Sequence, residues 1–166
     1  METAVSNTSP LIALSIIEWL DLPGQFFDPI VVPQAVVKEA IVNGAARPGA
    51  REIDAAIKAG WIRVESPRDT TLAAALSDEL GLGEAEAITL AVEYHCVLII
   101  DEPAGRHKAK RLGLRIIGTL GLLALAKNSG KIDLVSPWIS KLQAGGYRLG
   151  DSLIARFLKD MGETRA

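Results

Sequence analysis

Short apolar runs alternate along this chain with longer segments in which hydrophobic residues recur at helical spacing. The run at residues 97–100 is continuously apolar, which is typical of a strand covered on both faces of a parallel sheet. Residues 61–65 alternate apolar and polar side chains and predict a half-buried or edge strand. The predicted strands are 3–6, 30–32, 61–65, 97–100 and 114–117. The predicted helices are 10–20, 33–41, 50–59, 72–80, 83–94, 103–112, 118–129, 137–144 and 151–161.

Strands that alternate with helices predict an α/β protein: a three-layer α/β/α domain with a mainly parallel central sheet. A chain of 166 residues is long enough for one hydrophobic core and short for two. We therefore expect residues 1–166 to form a single domain. Residues 137–166 are predicted to form a helical tail that packs on this domain or serves an oligomer contact.

Acidic or amide side chains stand where several of these apolar runs end. The carboxyl ends of parallel strands meet at one edge of a sheet, where ligand sites form. Carboxylates gathered there repel one another unless a cation lies between them, and oxygen ligands suit Mg²⁺ or Mn²⁺. The sequence therefore predicts a divalent-metal site at this edge. Its candidate ligands are Asn7, Glu39, Glu84, Glu86, Asp101 and Glu102.

Each of these residues also has a structural interpretation when it is taken alone. Glu84 and Glu86 favour a helix N-terminus through the helix dipole, and Glu102 can cap the following helix. Ser9 and Asp151 are predicted N-caps of the helices that follow them. The metal interpretation depends on the strand-end positions being taken together.

A basic segment follows the acid pair at residues 101–102. It predicts either a surface that attracts RNA phosphates or a solvated helix face, and the sequence favours neither. Arg106 is the strongest RNA-binding candidate because it lies about one helical turn beyond Glu102 and can also pair with it. The segment contains Arg106, Lys108, Lys110, Arg111 and Arg115.

Composition narrows the function classes. The net charge is -2, which gives no support to generic coating of nucleic acid by basic arms. Cys96 is the only cysteine, so no disulfide can form within the chain, which fits a reducing compartment. We expect the Cys96 side chain to be a small buried packing group. We find neither a signal peptide nor a run long enough to cross a membrane, so we expect a cytoplasmic protein without membrane contact.

Four stretches of the chain resemble the motifs of the PIN domain family, the nuclease domain of many toxins in bacterial and archaeal toxin–antitoxin pairs. They comprise a strand followed by Asn-Thr-Ser-Pro, a proline before a helix that carries a glutamate, an acid that leads an alanine-rich helix, and a strand that ends in an acid. Together they span residues 5–102. Gly105-Arg106 and the stretch 118–121 are typical of one poorly characterised branch. The four stretches are 5–12, 30–39, 83–91 and 98–102.

The resemblance implies roles for individual residues. The family's four acidic positions fall on Asn7, Glu39, Glu84 and Asp101, and Glu86 and Glu102 are the near alternatives. Glu84 is preferred because Ala91 and Leu98 then occupy the places of the family's helix alanine and strand leucine. Ser9 matches a hydroxyl residue that often supports the first acid. Asn7 departs from the pattern, since an amide offers an oxygen to a metal ion but no charge.

A PIN domain implies the Rossmann-like α/β/α fold, Mg²⁺- or Mn²⁺-dependent RNA hydrolysis, an inhibitory antitoxin partner and a homodimer. Two other interpretations remain. Asn7 favours a relative without catalysis that binds nucleic acid or protein. An unrelated α/β nucleotide-binding domain is disfavoured, because no glycine-rich turn follows the first strand.

Overall fold

The chain folds around a five-stranded, entirely parallel sheet with the strand order β3-β2-β1-β4-β5, in a computed structural model that describes residues 1–164. The strand order runs one way from β1 to β3 and then reverses to β4 and β5. The point of reversal therefore lies between β1 and β4, where α/β proteins form ligand sites. The strands are β1 Ala4–Ser6, β2 Ile30–Pro33, β3 Ile62–Glu65, β4 Val97–Ile99 and β5 Ile116–Ile117.

Helices cover both faces of this sheet and follow the order of the chain. A 3₁₀ turn at Pro23–Gln25 precedes β2, and a π-helical turn at Lys38–Val42 continues α2. The helices are α1 Thr8–Ile16, α2 Gln34–Val37, α3 Ala50–Ala59, α4 Thr70–Ser77, α5 Leu82–Tyr94, α6 Pro103–Arg111, α7 Thr119–Asn128, α8 Ser136–Ala144 and α9 Asp151–Asp160.

Two hydrophobic clusters divide the core between the faces of the sheet. Successive side chains of a strand point to opposite faces. Ala4 therefore belongs to one cluster and Val5 to the other, as Ile99 and Leu98 do in β4. Cys96 is buried, and burial raises the pKa of its thiol to about 11, as expected for a packing residue.

The three-layer α/β/α fold predicted from the alternation is confirmed, and α3 has the predicted bounds. Two predicted N-caps are wrong. Helix α1 begins two residues before Pro10 with Asn7 at its N-cap, and Gly150 holds the N-cap position of α9. Within residues 1–164, no helix is both long and apolar enough to cross a membrane.

The C-terminal helices pack into the same core as the first helix. Ile139 and Leu142 of α8 and Ile154 and Leu158 of α9 are buried in the cluster that contains Leu14. Beyond α9, the Glu163 carboxylate accepts hydrogen bonds from the Lys127 ammonium group at 2.6 Å and from the backbone N–H groups of residues 135 and 136 at 2.9 and 3.1 Å. These contacts tie the end of the described chain to α7 and α8. Residues 165 and 166 of the predicted tail lie outside the described residues.

We expect Glu163→Gln to destabilise the protein at neutral pH and not in strong acid. Burial opposes the Glu163 charge, but the hydrogen bonds from Lys127 and from residues 135 and 136 outweigh it and lower its pKa from 4.5 to about 2. The stabilisation is therefore complete above about pH 4.5 and is lost as the pH falls towards 2. Chemical denaturation at pH 7 should show a loss of about 1.5–3 kcal/mol. Glu52→Gln on the exposed face of α3 is the control, and an equal loss in both variants would contradict this role of Glu163.

Candidate functional site

A pocket of about 400 Å³ opens at the carboxyl edge of the sheet, at the reversal between β1 and β4. Asn7 leaves β1, Glu39 lies in the π-helical turn after β2, Glu84 begins α5, and Glu102 follows β4. These four side chains, distant in sequence, meet in this one pocket. Its other lining residues include Thr8, Ser9, Asn43 and Arg47.

Local backbone features bring Glu39 to the pocket. The backbone N–H of Asn43 donates to the carbonyl of Lys38 at 2.8 Å, which is the wider hydrogen bond of a π turn. The Glu39 carboxylate accepts from the Thr8 hydroxyl at 2.7 Å and from the Gly83 backbone N–H at 3.1 Å. A Cβ at position 83 would lie 2.6 Å from the Glu39 Oε1 atom, so any larger residue there would displace this carboxylate from its present position.

Asn7 and Ser9 hold Glu102. The Asn7 amide donates to Oε2 of Glu102 at 3.2 Å, and the Ser9 hydroxyl donates to Oε1 in a short hydrogen bond. The Asn7 side chain is buried, and its Oδ1 atom has no hydrogen-bond partner within residues 1–164. Buried polar atoms are nearly always paired, so an acceptor without a partner in an acidic pocket marks a place for a water molecule or a cation.

The negative charges of Glu39 and Glu102 act on the Glu84 carboxylate. Burial raises its pKa, and the charges of Glu102 and Glu39 raise it further. Its Oε2 atom packs against α6, where a Cβ on Gly105 would lie 2.7 Å from it. A cation in this pocket would offset the repulsion that the pKa of Glu84 reports.

The chemistry of these donors fits a hard divalent cation: three carboxylates, one amide oxygen without a partner, and nearby hydroxyl groups. Glu39 and Glu102 are satisfied by neutral donors, and in residues 1–164 no three Asp, Glu, His or Cys side chains already stand close enough to hold a metal ion. A carboxylate has about four acceptor positions, so Glu39 and Glu102 could coordinate a metal ion and keep these hydrogen bonds once side-chain rotation brings the carboxylates together.

Asp101, the predicted fourth acid, does not line this pocket. It accepts hydrogen bonds from the Thr119 backbone N–H at 2.7 Å, from the Thr119 hydroxyl at 2.6 Å and from the Tyr147 hydroxyl. Successive side chains of an extended segment point to opposite sides, so Glu102, the named alternative, faces Asn7 while Asp101 faces β5 and α7. Glu86 likewise lies outside the pocket, where it accepts from the Ala35 backbone N–H at 3.2 Å.

The structure divides the predicted basic segment. Lys108 pairs with Glu79 at 2.8 Å, and Arg115 pairs with Glu2 at 2.9 Å. Lys110 and Arg111 are exposed at the end of α6. Arg106 donates to the Ile100 carbonyl at 2.9 Å and lines a second cavity with Asp101.

Sequence reasoning missed Thr8 and Arg47. Thr8 stands between Asn7 and Ser9 in the motif that opens α1, so its hydroxyl was a visible signal for a contact at this edge. Arg47 lies in the loop after the π turn, and its side chain lines the acidic pocket without a hydrogen bond or ion pair within residues 1–164. No spacing rule connects such a loop residue to the strand ends.

We expect Asp101→Asn to weaken folding. An asparagine amide in place of Oδ2 faces the Thr119 and Tyr147 hydroxyls, which must then accept instead of donate, so two charge-assisted hydrogen bonds become weaker neutral ones. The free energy of unfolding should fall by about 1–3 kcal/mol in urea denaturation. Asp133→Asn, at an exposed position whose side chain makes no hydrogen bond or ion pair within residues 1–164, should leave stability unchanged. An Asp101→Asn protein as stable as the wild type would show that this network stabilises nothing.

Comparisons with known proteins concern the family and the fold. A family model described as PIN domain matches residues 3–163. A solved PilT N-terminus domain protein from the hyperthermophilic archaeon Sulfolobus solfataricus P2 superposes with a TM-score of 0.52 and 25% identity, over 75% of this chain and 92% of that one. A domain of a functionally unknown protein from Methanocaldococcus jannaschii DSM 2661 gives a TM-score of 0.48 and 20% identity, over 71% and 91% of the two chains. No curated protein matches significantly.

Proposed function

The chain belongs to the PIN domain family, and from that premise we propose that it is a ribonuclease that hydrolyses RNA phosphodiester bonds with Mg²⁺ or Mn²⁺. PIN domains are typically nucleases that use divalent metals. The observation that carries the proposal is the convergence of Asn7, Glu39, Glu84 and Glu102 on one pocket at the reversal of strand order.

In this proposal Glu39, Glu84 and Glu102 would hold the metal, and the Asn7 Oδ1 atom would supply a neutral ligand. The bound metal would activate water and offset charge that develops on the phosphate. Thr8 orients Glu39, and Ser9 orients Glu102 through the hydrogen bonds described above. Carboxylate ligands that hydrogen bonds already hold in position need little rearrangement when the substrate binds.

Arg47 would bind the substrate. An acidic pocket repels a phosphodiester. The Arg47 guanidinium group lines this pocket without an acidic partner among residues 1–164, which suits it to a non-bridging phosphate oxygen. The backbone N–H of Arg47 donates to the Gly44 carbonyl at 2.7 Å, and a Cβ on Gly44 would lie 2.7 Å from the Ala40 carbonyl oxygen. Gly44 thus lets the loop that carries Arg47 pack against the turn that carries Glu39.

Cleavage of a labelled single-stranded RNA by the purified protein tests the proposal. We expect products with Mg²⁺ or Mn²⁺ and none with EDTA, because hydrolysis depends on the metal. A control preparation of Glu84→Gln excludes a contaminating nuclease. Equal cleavage with and without metal, or by both proteins, would refute the proposal.

We further propose that the protein is the toxin of a toxin–antitoxin pair and acts as a cytoplasmic homodimer. The support is the family resemblance of residues 5–102 to toxin nucleases. Co-expression with the product of a directly adjoining small reading frame should give a copurifying complex that no longer cleaves RNA. Light scattering of the protein alone should give twice the mass of 17.7 kDa. A free monomer that the small protein neither binds nor inhibits would contradict both points.

One observation favours a second function, a relative that binds nucleic acid without cleaving it. The Asn7 amide donates a hydrogen bond to Glu102, so this carboxylate has a protein partner without any metal. This function predicts RNA binding that is the same in EDTA and in Mn²⁺, with no cleavage. Cleavage that requires metal would remove it.

A further inference from the structure

A second cavity of about 430 Å³ opens on the other side of the β4 exit from the acidic pocket. Glu102 faces the acidic pocket and Asp101 faces this cavity. Because consecutive Cα atoms are about 3.8 Å apart, the two openings share one wall. A polymer chain that lies across the β4 exit can therefore reach both.

The second cavity contains two arginines, Arg106 and Arg148, whose N–H donors are not all used in hydrogen bonds within residues 1–164. Asp101 is satisfied by Thr119 and Tyr147. Arg106 uses one nitrogen for the Ile100 carbonyl, and Arg148 has no hydrogen bond or ion pair within residues 1–164. Free guanidinium donors remain on both arginines, which suits phosphate oxygens.

The rest of the wall is apolar. Leu120, Leu149 and Leu153 line it beside Tyr147, and Leu153 is 42% exposed although it is a large hydrophobic residue. A flat, weakly polar ring can cover such a surface, and a neighbouring phosphate can reach the arginines. Apolar walls with a few placed polar groups are characteristic of small-ligand sites.

We infer that this cavity is a nucleotide subsite that holds the base and phosphate of the RNA residue next to the scissile bond. The inference rests on the proposed function, since it places the strand that the acidic pocket cuts. It also accounts for Arg106: Lys108 and Arg115 of the same basic segment are paired with glutamates, whereas Arg106 faces a cavity beside Glu102. RNA is thus held by cations on one side of β4 and cut by the carboxylate pocket on the other.

Two exposed side chains of the cavity test the subsite without touching the core. The probe is a fluorescent eight-nucleotide single-stranded RNA, titrated in EDTA so that cleavage cannot occur. Arg148→Glu should weaken binding about tenfold and lower the salt dependence by about one phosphate contact. Leu153→Ser should weaken binding at least about threefold, because the base loses apolar contact. In Mn²⁺, both variants should raise KM and leave kcat unchanged.

Matched variants give the controls. Arg156→Glu changes an exposed arginine of α9 outside the cavity, and Leu112→Ser changes a leucine that is 43% exposed after α6. Both should bind RNA as the wild type does, and thermal unfolding should be the same for all four variants. If Arg148→Glu and Arg156→Glu weaken RNA binding equally, the loss comes from the change in net charge alone, and the subsite is overturned.

The outcomes separate the subsite from the proposed function. If the wild type cleaves RNA with Mn²⁺ and both cavity variants keep its KM, the subsite is refuted and the function stands. If the wild type binds RNA through Arg148 and Leu153 but never cleaves it, the nuclease function is refuted and the cavity stands only as an RNA-binding site. Adenosine monophosphate should compete only weakly, and displacement of the RNA by micromolar nucleotide would instead identify a free mononucleotide as the ligand and overturn the RNA subsite.

Discussion

Glu102→Gln is expected to lower the kcat/KM of metal-dependent RNA cleavage by at least about 100-fold, which is about 2.7 kcal/mol of transition-state stabilisation. Glutamine keeps the shape of Glu102 and can still accept from Ser9, but it brings no charge to the metal. Loss of one of three carboxylates also relieves their mutual repulsion, so the variant should unfold at the same temperature as the wild type or a higher one. Initial rates over a range of RNA concentrations measure the effect.

Asp101→Asn is the matched control, because it makes the same chemical change one residue earlier. Its side chain contacts Thr119 and Tyr147 outside the acidic pocket. At a temperature where it is fully folded, it should lose much less activity than Glu102→Gln. If instead Asp101→Asn is inactive and Glu102→Gln is active, then Asp101, and not Glu102, is the fourth acidic residue of the site.

Asn7→Asp is expected to change stability in opposite directions with and without metal. The new carboxylate replaces an amide that donates to Glu102 at 3.2 Å, so the metal-free protein loses a hydrogen bond and gains repulsion. Its free energy of unfolding should fall by about 1–3 kcal/mol. With Mn²⁺ the added charge should tighten binding at least about tenfold, since two unit charges 4 Å apart attract by about 4 kcal/mol at an effective dielectric constant of 20. Saturating Mn²⁺ should therefore restore or exceed wild-type stability.

Asn43→Asp is the control for Asn7→Asp, since it adds the same charge at an exposed position in the same pocket. Thermal unfolding of both variants with and without Mn²⁺ compares them. Only Asn7→Asp should be less stable without metal and rescued by it, and its cleavage rate should rise. An Asn7→Asp protein that Mn²⁺ does not stabilise would show that position 7 is not a ligand position.

The sequence predicted the sheet and the edge at which side chains converge, because strand periodicity and parallel connectivity are local and regular. The resemblance to the PIN domain family then preferred three of the four pocket residues: Asn7, Glu39 and Glu84. Asp101 was preferred to Glu102 as the fourth acid, but the structure places Glu102 in the pocket. Adjacent residues at a strand exit point to opposite sides, so the exact end of the strand decides which one faces β1. The strand was predicted to end at Ile100, and it ends one residue earlier.

Other features depend on contacts between distant segments. The helix after β2 was predicted as one helix through about Ile41, whereas a π turn over Lys38–Val42 widens it and carries Glu39. Helical periodicity does not distinguish one wide turn from a regular one. The hydrogen bond from Tyr147 to Asp101 joins residues 46 positions apart, and no local pattern indicates it.

The central claim is that Asn7, Glu39, Glu84 and Glu102 form one divalent-metal site, and calorimetric titration of Mn²⁺ into metal-free protein tests it most directly. We predict saturable binding by the wild type and at least about tenfold weaker binding by Glu84→Gln. Glu86→Gln, two residues away and outside the pocket, should bind as the wild type does. Equal binding by the wild type and Glu84→Gln, or no binding by the wild type, would contradict the claim.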